Sequence, residues 1–267
     1  MYLIIFIAVT MIVILMGVKK GIENISKIMM PLLVVISVVI AGFVITRDKA
    51  GEGVIYYLKP DITKISANAF LAALGQLFYS MSLAMGIMIT YGSYLPKKAD
   101  MESSVRSIEI FDVAIAFLGG LMIVPAVFAF SNGDTSALQA GPTLMFITLP
   151  KVFNSMPGGN ILGFAFFVLV LLAALTSAIS IMETVVSIVC EWTKKSRKLI
   201  TVIVAVYAVL MAVPSSLGFG VWSDISLNNM TILDIFDFLT NSIFMPIVAI
   251  CTCIFVGYVT TPKLIIN

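Results

Sequence analysis

Histidine is absent from this chain of 267 residues, and its absence removes several kinds of chemistry. Histidine is the usual proton shuttle near neutral pH and the commonest protein ligand of transition metals. Cysteine is scarce as well, and none of the three has the spacing of a zinc site or a disulfide framework: Cys190, Cys251 and Cys253. We therefore expect no organic cofactor and no enzymatic activity.

Charged residues are also few, at 11% of the chain, whereas a soluble domain carries about a quarter. Hydrophobic residues make up 60%, and the mean hydropathy is +1.11. One globular core cannot hide so large an excess of apolar side chains. The net charge of +2 comes with no basic cluster suited to nucleic acid. The composition therefore predicts an integral membrane protein that contacts the lipid bilayer and no nucleic acid.

Apolar runs of about 20 residues can cross a bilayer as helices, and the alternating strands of a barrel are absent. We predict an all-α, polytopic helix bundle that forms one membrane domain over residues 1–267. The seven spans are placed at 2–17, 21–46, 66–95, 106–131, 159–190, 199–217 and 232–260. The third and the fifth are long enough to be bent, tilted or interrupted.

Basic residues are distributed unequally between the two sides of this bundle. The richer side holds eleven: Lys19, Lys20, Lys27, Lys97, Lys98, Arg106, Lys194, Lys195, Arg197, Lys198 and Lys263. The poorer side holds five: Arg47, Lys49, Lys59, Lys64 and Lys151. The positive-inside rule then predicts a plasma-membrane protein with its N-terminus outside and its C-terminus in the cytoplasm.

One connection differs in kind from the other loops. Residues 132–158 form a long outer segment whose middle reads LMFITLP, which is too apolar for a loop surrounded by water. We expect this segment to fold back on the protein as a short helical cap.

Polar residues interrupt the third span in the stretch GQLFYSMSLAMG, residues 75–86. A helix broken there would free backbone carbonyls, which bilayers tolerate only around a wet cavity or a bound ion. Carbonyl and hydroxyl oxygens suit an alkali cation, and the N-terminal end of the second half-helix suits a carboxylate. The alternative is an intact helix whose serines bond back to their own turn.

A second polar group lies in LLAALTSAIS, residues 171–180. Ala173, Thr176 and Ser177 stand at i, i+3 and i+4, so they share one face of a helix. Two hydroxyls and a carbonyl on that face could form part of an oxygen cage. They could equally form a small-residue seam for close helix packing.

Acidic residues inside apolar runs need a cation, a proton or a path to water. Asp112 has only Arg106 as a basic residue in its own span. Its carboxylate is interpreted either as a ligand of a bound cation or as a group that reaches the cytoplasmic solvent. Glu183 raises the same question beyond Thr176. Asp234 and Asp237 lie near the outer end of the last span, where a solvated acid at a helix start is the preferred interpretation for Asp234.

Taken together, these stretches resemble the neurotransmitter:sodium symporter family, whose bacterial members are sodium-dependent amino-acid transporters with the LeuT-type fold. The stretches that carry the resemblance are VKKGIENISKIMMPLL (18–33), GQLFYSMSLAMGIMITYGSYL (75–95), GLMIVPAVFAF (120–130), GPTLMFITLPKVF (141–153) and LLAALTSAIS (171–180). They occur in the family's order and cover essentially the whole chain. The resemblance implies that the seven spans are the family's fourth to tenth helices, with the broken sixth helix at residues 66–95.

The resemblance also implies roles for individual residues. It assigns Ser80 and Asp112 to a first sodium site, with Gln76 as a polar neighbour. It assigns Ala173, Thr176 and Ser177 to a second sodium site. The implied substrate-binding residues are Tyr79, Ser80, Ser82, Met85, Ser177 and Ile181. The implied gates are Asp237 on the outside and Tyr94 with Glu191 on the inside.

Three departures from the family pattern shape the expected function. The carboxylate of Asp112 stands where relatives often have an amide, and a fixed negative charge there predicts transport without chloride. Met85 replaces a phenylalanine of some relatives, and its flexible side chain favours a hydrophobic or aromatic amino acid. The family's first three helices, the first of which supplies half of each site, are missing, as in a truncated reading frame, a split gene or a partial sequence.

The sequence therefore predicts the C-terminal core of a sodium-coupled amino-acid symporter that works by alternating access. The partners are Na⁺, an amino-acid substrate and the lipid bilayer, with the missing N-terminal helices supplied by another chain. The alternatives are an inactive truncated remnant and one half of a split transporter. A channel is less favoured because the polar residues concentrate at one depth.

Overall fold

The computed structural model describes residues 1–59, 61–96, 98–131, 141–155, 157–224 and 230–259, except the side chains of 19, 20, 64 and 68. Most of this part is helical, which confirms the predicted all-α class. The α-helices are α1 Tyr2–Leu15, α2 Asn24–Ile45, α3 Ala50–Leu58, α4 Ala67–Ser80, α5 Ile87–Tyr94, α6 Met101–Ser131, α7 Gly141–Thr143, α8 Leu149–Ser155, α9 Gly159–Thr193, α10 Arg197–Leu217, α11 Ile232–Asp237 and α12 Met245–Ile254.

Five helical stretches are long and apolar enough to cross a membrane: Gly21–Ile45, Met101–Ser131, Gly159–Thr193, Arg197–Leu217 and Ile232–Val259. Two shorter apolar helices, Tyr2–Leu15 and Ala69–Ser80, lie where the first span and the start of the third are predicted. The third predicted span is interrupted, whereas the fifth is one continuous helix of 35 residues. Lys97, Lys263 and residues 132–140 of the predicted cap lie outside the described residues.

Short π-helical segments adjoin three of the apolar helices. Val18–Glu23 precedes α2, Phe238–Phe244 joins α11 to α12, and Phe255–Val259 follows α12. Each π turn adds a residue to a helical turn, so it shifts the side chains that follow around the helix axis. The last predicted span is therefore helical throughout its described length, but it is not one regular α-helix.

The chain divides into two compact units, and α9 contributes to both. One unit comprises residues 23–65 and 100–177. Its core gathers apolar side chains of α2, α6, α8 and the first half of α9: Leu33, Ile40, Ala41, Val44, Met122, Ala126, Val127, Leu149, Val152, Phe153, Leu162, Phe166 and Leu169. The segment LMFITLP belongs to this unit and is helical, as expected, and its Leu149 is completely buried.

The other unit comprises residues 1–22, 66–99 and 178–267. Here α1 packs along α10, and Ile14 and Thr201 are completely buried. The second half of α9 contributes the buried side chains of Ile179, Met182 and Val186. This unit contains both halves of the interrupted third span, so the predicted helix break at residues 75–86 belongs to it.

Candidate functional site

The predicted helix break is confirmed within residues 81–86. Helix α4 ends at Ser80, and the amide of Met81 still donates to the carbonyls of Leu77 and Tyr79. Two further backbone bonds close the end of α4, including one from Leu83 N to Phe78 O at 2.9 Å. Regular bonding resumes only when Thr90 N donates to Gly86 O at 3.0 Å, which begins α5.

Three positions of the break have left-handed backbone conformations. The φ angles are +56° at Ser82, +62° at Ala84 and +76° at Gly86. A non-glycine residue pays about 1–2 kcal/mol for such a conformation. Strained backbone of this kind persists only where the surrounding structure holds it, and it is concentrated at functional sites.

The break frees backbone oxygens at one place in the chain. Among the described residues, no backbone hydrogen bond ends on the carbonyl oxygens of residues 81–85. Carbonyl oxygens left in this way need water, a ligand or a cation in the membrane interior. Hard oxygen donors of this type suit an alkali cation, so the donor set fits Na⁺.

The predicted substrate residues of this unit lie on and around the break. Tyr79 and Ser80 end α4 and are exposed, whereas Ser82 and Met85 lie in the break and are half-buried. Ile181 lies on α9 in the same unit and is also exposed. Four of the five predicted substrate residues of this unit thus lie within one stretch of seven residues, 79–85. Gln76, the predicted neighbour of the first sodium site, is exposed on α4.

The second predicted cation site lies on one face of α9, in the other unit. The hydroxyl of Thr176 donates to Ala173 O at 2.9 Å and to Leu172 O at 3.1 Å. The structure therefore shows the bond back to the helix turn that the alternative interpretation requires. A hydroxyl that donates to a carbonyl can still accept a cation on its lone pairs, so both interpretations share this geometry. Ser177 is exposed beside it.

Asp112 lies in α6, in the same unit as Thr176, and is half-buried. Ser80, its predicted partner in the first sodium site, belongs to the unit that contains the break. The two residues predicted for the first sodium site therefore belong to different units.

The acidic residues of the last span differ from each other. Asp234 forms a capping box with Thr231, in which each residue bonds to the backbone of the other. The preferred interpretation of Asp234 as an acid at a helix start is thereby confirmed. Asp237, the predicted outer gate, is exposed and accepts a hydrogen bond from Asn241 Nδ2 at 2.5 Å.

A buried ion pair joins two helices of the unit that contains the break. Glu183 on α9 is completely buried and accepts hydrogen bonds from Arg197 Nη2 at 2.5 Å and from Tyr94 Oη at 2.6 Å. Arg197 also approaches Ile14 O, at 3.5 Å. Tyr94, one of the two predicted inner-gate residues, thus bonds to Glu183. The other, Glu191, is exposed near the end of α9.

Sequence reasoning missed Arg197 as the partner of Glu183 because it counted this arginine only among the loop cations. A buried carboxylate within an apolar run signals that some cation must neutralise it. The partner lies 14 residues along the chain, in a different helix, so helix periodicity does not reveal it.

The chain was compared with protein families and with known sequences. The family model described as "Sodium:neurotransmitter symporter family" matches residues 1–267. The chain is 36% identical over 252 residues to a protein of Bacillus subtilis named "Uncharacterized sodium-dependent transporter YhdH". It is 34% identical over 259 residues to a protein named as a sodium-dependent transporter in Haemophilus influenzae. These matches cover 94% and 97% of the chain, but 55% and 56% of the relatives.

Among solved structures, the chain is similar to MhsT in complex with L-phenylalanine. The TM-score is 0.83, the sequence identity is 37%, and the match covers 95% of this chain and 57% of MhsT. The chain thus spans little more than half the length of these three proteins. The similarity extends over almost all of this chain, so it supports the predicted helical fold.

Proposed function

Because this chain belongs to the sodium:neurotransmitter symporter family, we propose that it forms the C-terminal core of a sodium-coupled amino-acid symporter. The observation that carries the proposal is the interrupted helix at residues 81–86, where carbonyl oxygens lack backbone partners among the described residues. In a membrane protein, such irregular backbone lines a cavity or binds an ion. A transporter of small ions and solutes requires a site of this kind.

Two groups of oxygen donors are proposed to bind the coupling ions. Ser80 and Asp112 would serve a first Na⁺, with Gln76 as a neighbour. The Ala173 carbonyl and the hydroxyls of Thr176 and Ser177 would serve a second Na⁺. The driving force would be the sodium gradient, to which the membrane potential contributes about 2.3 kcal/mol per charge per 100 mV. A substrate carboxylate that shared one ion would raise the affinity of the site for that ion, and the reverse also holds.

The proposed substrate is an amino acid with a hydrophobic or aromatic side chain. Tyr79, Ser82, Met85 and Ile181, together with Ser80 and Ser177, would contact it. Met85 is half-buried within the break, and a thioether side chain adapts to bulky apolar groups. MhsT, which is 37% identical to this chain, was solved in complex with L-phenylalanine, and this supports the same substrate class here.

The remaining part of the transporter is proposed to come from the family's first three helices. The chain spans 55% to 57% of the two bacterial relatives and of MhsT, so a complete unit would contain further helices, in the same polypeptide or in another one. We propose that those helices complete one membrane domain with this chain and contribute to both ion sites. Tyr94, Glu191 and Asp237 would then belong to the inner and outer gates of the complete protein.

Uptake of radiolabelled L-phenylalanine into proteoliposomes tests the proposal. The chain is reconstituted alone and also together with the first three helices of the Bacillus subtilis relative. We expect uptake in the combined sample, driven by an inward sodium gradient and not by an equal potassium gradient. Uptake that is independent of sodium would contradict the coupling. Lack of uptake in both samples would instead favour the inactive remnant.

Two threonines of α9 provide a matched pair of variants for the same assay. Thr176→Ala removes a proposed sodium ligand, so the sodium concentration for half-maximal uptake should rise about tenfold, as expected for the loss of one charge-assisted contact. Thr193→Ala removes a hydroxyl that bonds to Val189 O in the same helical manner, at 2.7 Å. It should leave sodium dependence unchanged. Equal sodium affinity in the two variants would remove Thr176 from the site.

A further inference from the structure

Helix α5, the second half of the broken helix, lies on one face of α9. Ser180, Thr184 and Ile188 are spaced by four residues and therefore share that face. The hydroxyl of Tyr91 donates to Ser180 Oγ at 2.7 Å. A Cβ atom at Gly86 would lie 3.3 Å from Thr184 Cγ2 and 3.8 Å from Ile188 Cδ1. The start of α5 therefore lies close to α9, and the Tyr91 hydrogen bond ties its middle to the same face.

Helix α4, the first half, adjoins Phe238–Phe244 in its own unit but is less enclosed than α5. None of its described residues is buried, whereas Ile87 and Thr90 of α5 are. Its side chains at Phe70, Leu71 and Tyr79 are exposed. Of the two halves of this span, α5 is therefore the one that is more enclosed by the surrounding helices.

The break between the halves requires such an anchor. Ser82 and Ala84 have positive φ angles, and each would lower its energy by returning to the right-handed region. A segment with two such residues stays irregular only if its neighbours are fixed in space. The anchor of α5 therefore maintains the freed carbonyls as well as the helix position.

We propose that Tyr91 and Ser180 form a positioning pair that fixes α5 against α9 and so keeps residues 81–86 open for ion and substrate. Neither residue is among the predicted ligands, and both act through the break. Tyr91 is almost one turn closer to the break than Tyr94, so its bond has the shorter path to Met85 and Gly86. Only the consequence for transport rests on the proposed function, because the docking itself is a property of this chain.

Amide hydrogen exchange on the full chain in lipid nanodiscs tests the docking without any transport. Tyr91→Phe and Ser180→Ala each remove one partner of the bond. Each should speed the exchange of amides 90–94 about five- to tenfold, the effect expected for one hydrogen bond. Amides 90–94 of the double variant should exchange no faster than those of either single variant, because the two residues act through one bond.

Three further variants make this result specific. Ser180→Thr keeps the hydroxyl and should exchange like the unmodified chain. Tyr207→Phe on α10 and Ser155→Ala on α8 make the same chemical changes away from α5, so amides 90–94 should be unaffected. The docking is contradicted if Tyr91→Phe or Ser180→Ala matches these controls, or if their effects add in the double variant.

Uptake by the complete transporter tests the consequence for the site. Ser180→Ala should raise the L-phenylalanine concentration for half-maximal uptake about fivefold at a nearly unchanged maximal rate, because the site binds substrate only while it is open. Ser180→Thr should restore the original value. Unchanged half-saturation despite faster exchange would overturn the positioning role. Absence of uptake by the unmodified transporter would refute the proposed function, and the exchange experiment would still decide the docking.

Discussion

Glu183 shows how a single residue constrains a membrane helix. Its carboxylate is completely buried and accepts hydrogen bonds from Arg197 and Tyr94. Desolvation of two charges offsets much of their mutual attraction, so the pair adds little net stability by itself. Loss of one member is more costly, because the other remains buried without its counter-charge.

We predict that Glu183→Gln lowers the free energy of unfolding by about 1–3 kcal/mol, less than for a fully buried pair because Arg197 is about one-third exposed. Thermal unfolding in detergent measures this loss. Glu23→Gln removes the acid of an exposed pair with Lys27 and should change stability by less than about 0.5 kcal/mol. Combining Glu183→Gln with Arg197→Gln should recover part of the loss, and full additivity would show that the two residues do not interact.

Asp112 is the second residue whose charge carries a prediction. If its fixed carboxylate balances the sodium charge, uptake by the complete transporter should not respond to chloride. Asp112→Asn should raise the half-saturating sodium concentration about tenfold, the effect of losing one charged ligand, and should make uptake respond to chloride. Replacing chloride by gluconate at constant sodium measures this response. Asp48→Asn alters an exposed acid at the end of α2 and serves as the control. Chloride stimulation of the unmodified protein would contradict the prediction.

At the scale of elements, the broken helix depends on glycine where α5 begins. Gly86 has a φ of +76° and lies against Thr184. Gly86→Ala should therefore lower the free energy of unfolding by about 1–2 kcal/mol, the usual cost of a left-handed alanine. Gly75→Ala in α4 has no atom within 4 Å of the new Cβ and should not destabilise the chain. Equal thermal stability of the two variants would contradict the assigned break.

The contact of α3 with α6 makes a second prediction at this scale. A Cβ at Gly53 would lie 2.7 Å from Pro125 Cα and 2.9 Å from Phe128 Cβ, so the two helices could not keep their spacing. Gly53→Ala should cost about 1–3 kcal/mol, as overpacked sites do. Gly51→Ala on the same helix meets no atom within 4 Å and should be tolerated. Thermal unfolding of both variants decides whether α3 packs as described.

At the scale of the whole molecule, the charge distribution predicts the orientation in the membrane. The test uses a chain in which Cys190, Cys251 and Cys253 are replaced by serine. An impermeant maleimide should label Asp48→Cys in intact cells, because the turn after α2 is predicted outside. It should label Lys195→Cys only after permeabilisation, because the basic segment after α9 is predicted in the cytoplasm. The reverse labelling pattern would contradict the orientation.

Much of the architecture was predictable because its signals are local. Long apolar runs can only be stabilised in lipid as helices, so hydropathy along the chain predicts where helices lie. The break at residues 81–86 was one of two open interpretations. The serines and glycines weaken a helix wherever they occur, but the freed backbone groups need partners that only the rest of the protein can supply. The sequence also left open whether α9 is continuous or interrupted, since the length of a span permits a bend without requiring one.

The sequence alone determined that this chain lies in a membrane, that it is helical, and which family it resembles, because consecutive residues carry hydropathy, helix propensity and motif spacing. The tertiary structure decided which cation pairs with Glu183 and which half of the broken span is anchored. Tyr91 and Ser180 lie 89 residues apart, and Arg197 lies in a different helix from Glu183. Electrostatic attraction and hydrogen bonding depend on distance in space, and only the packed helices set that distance.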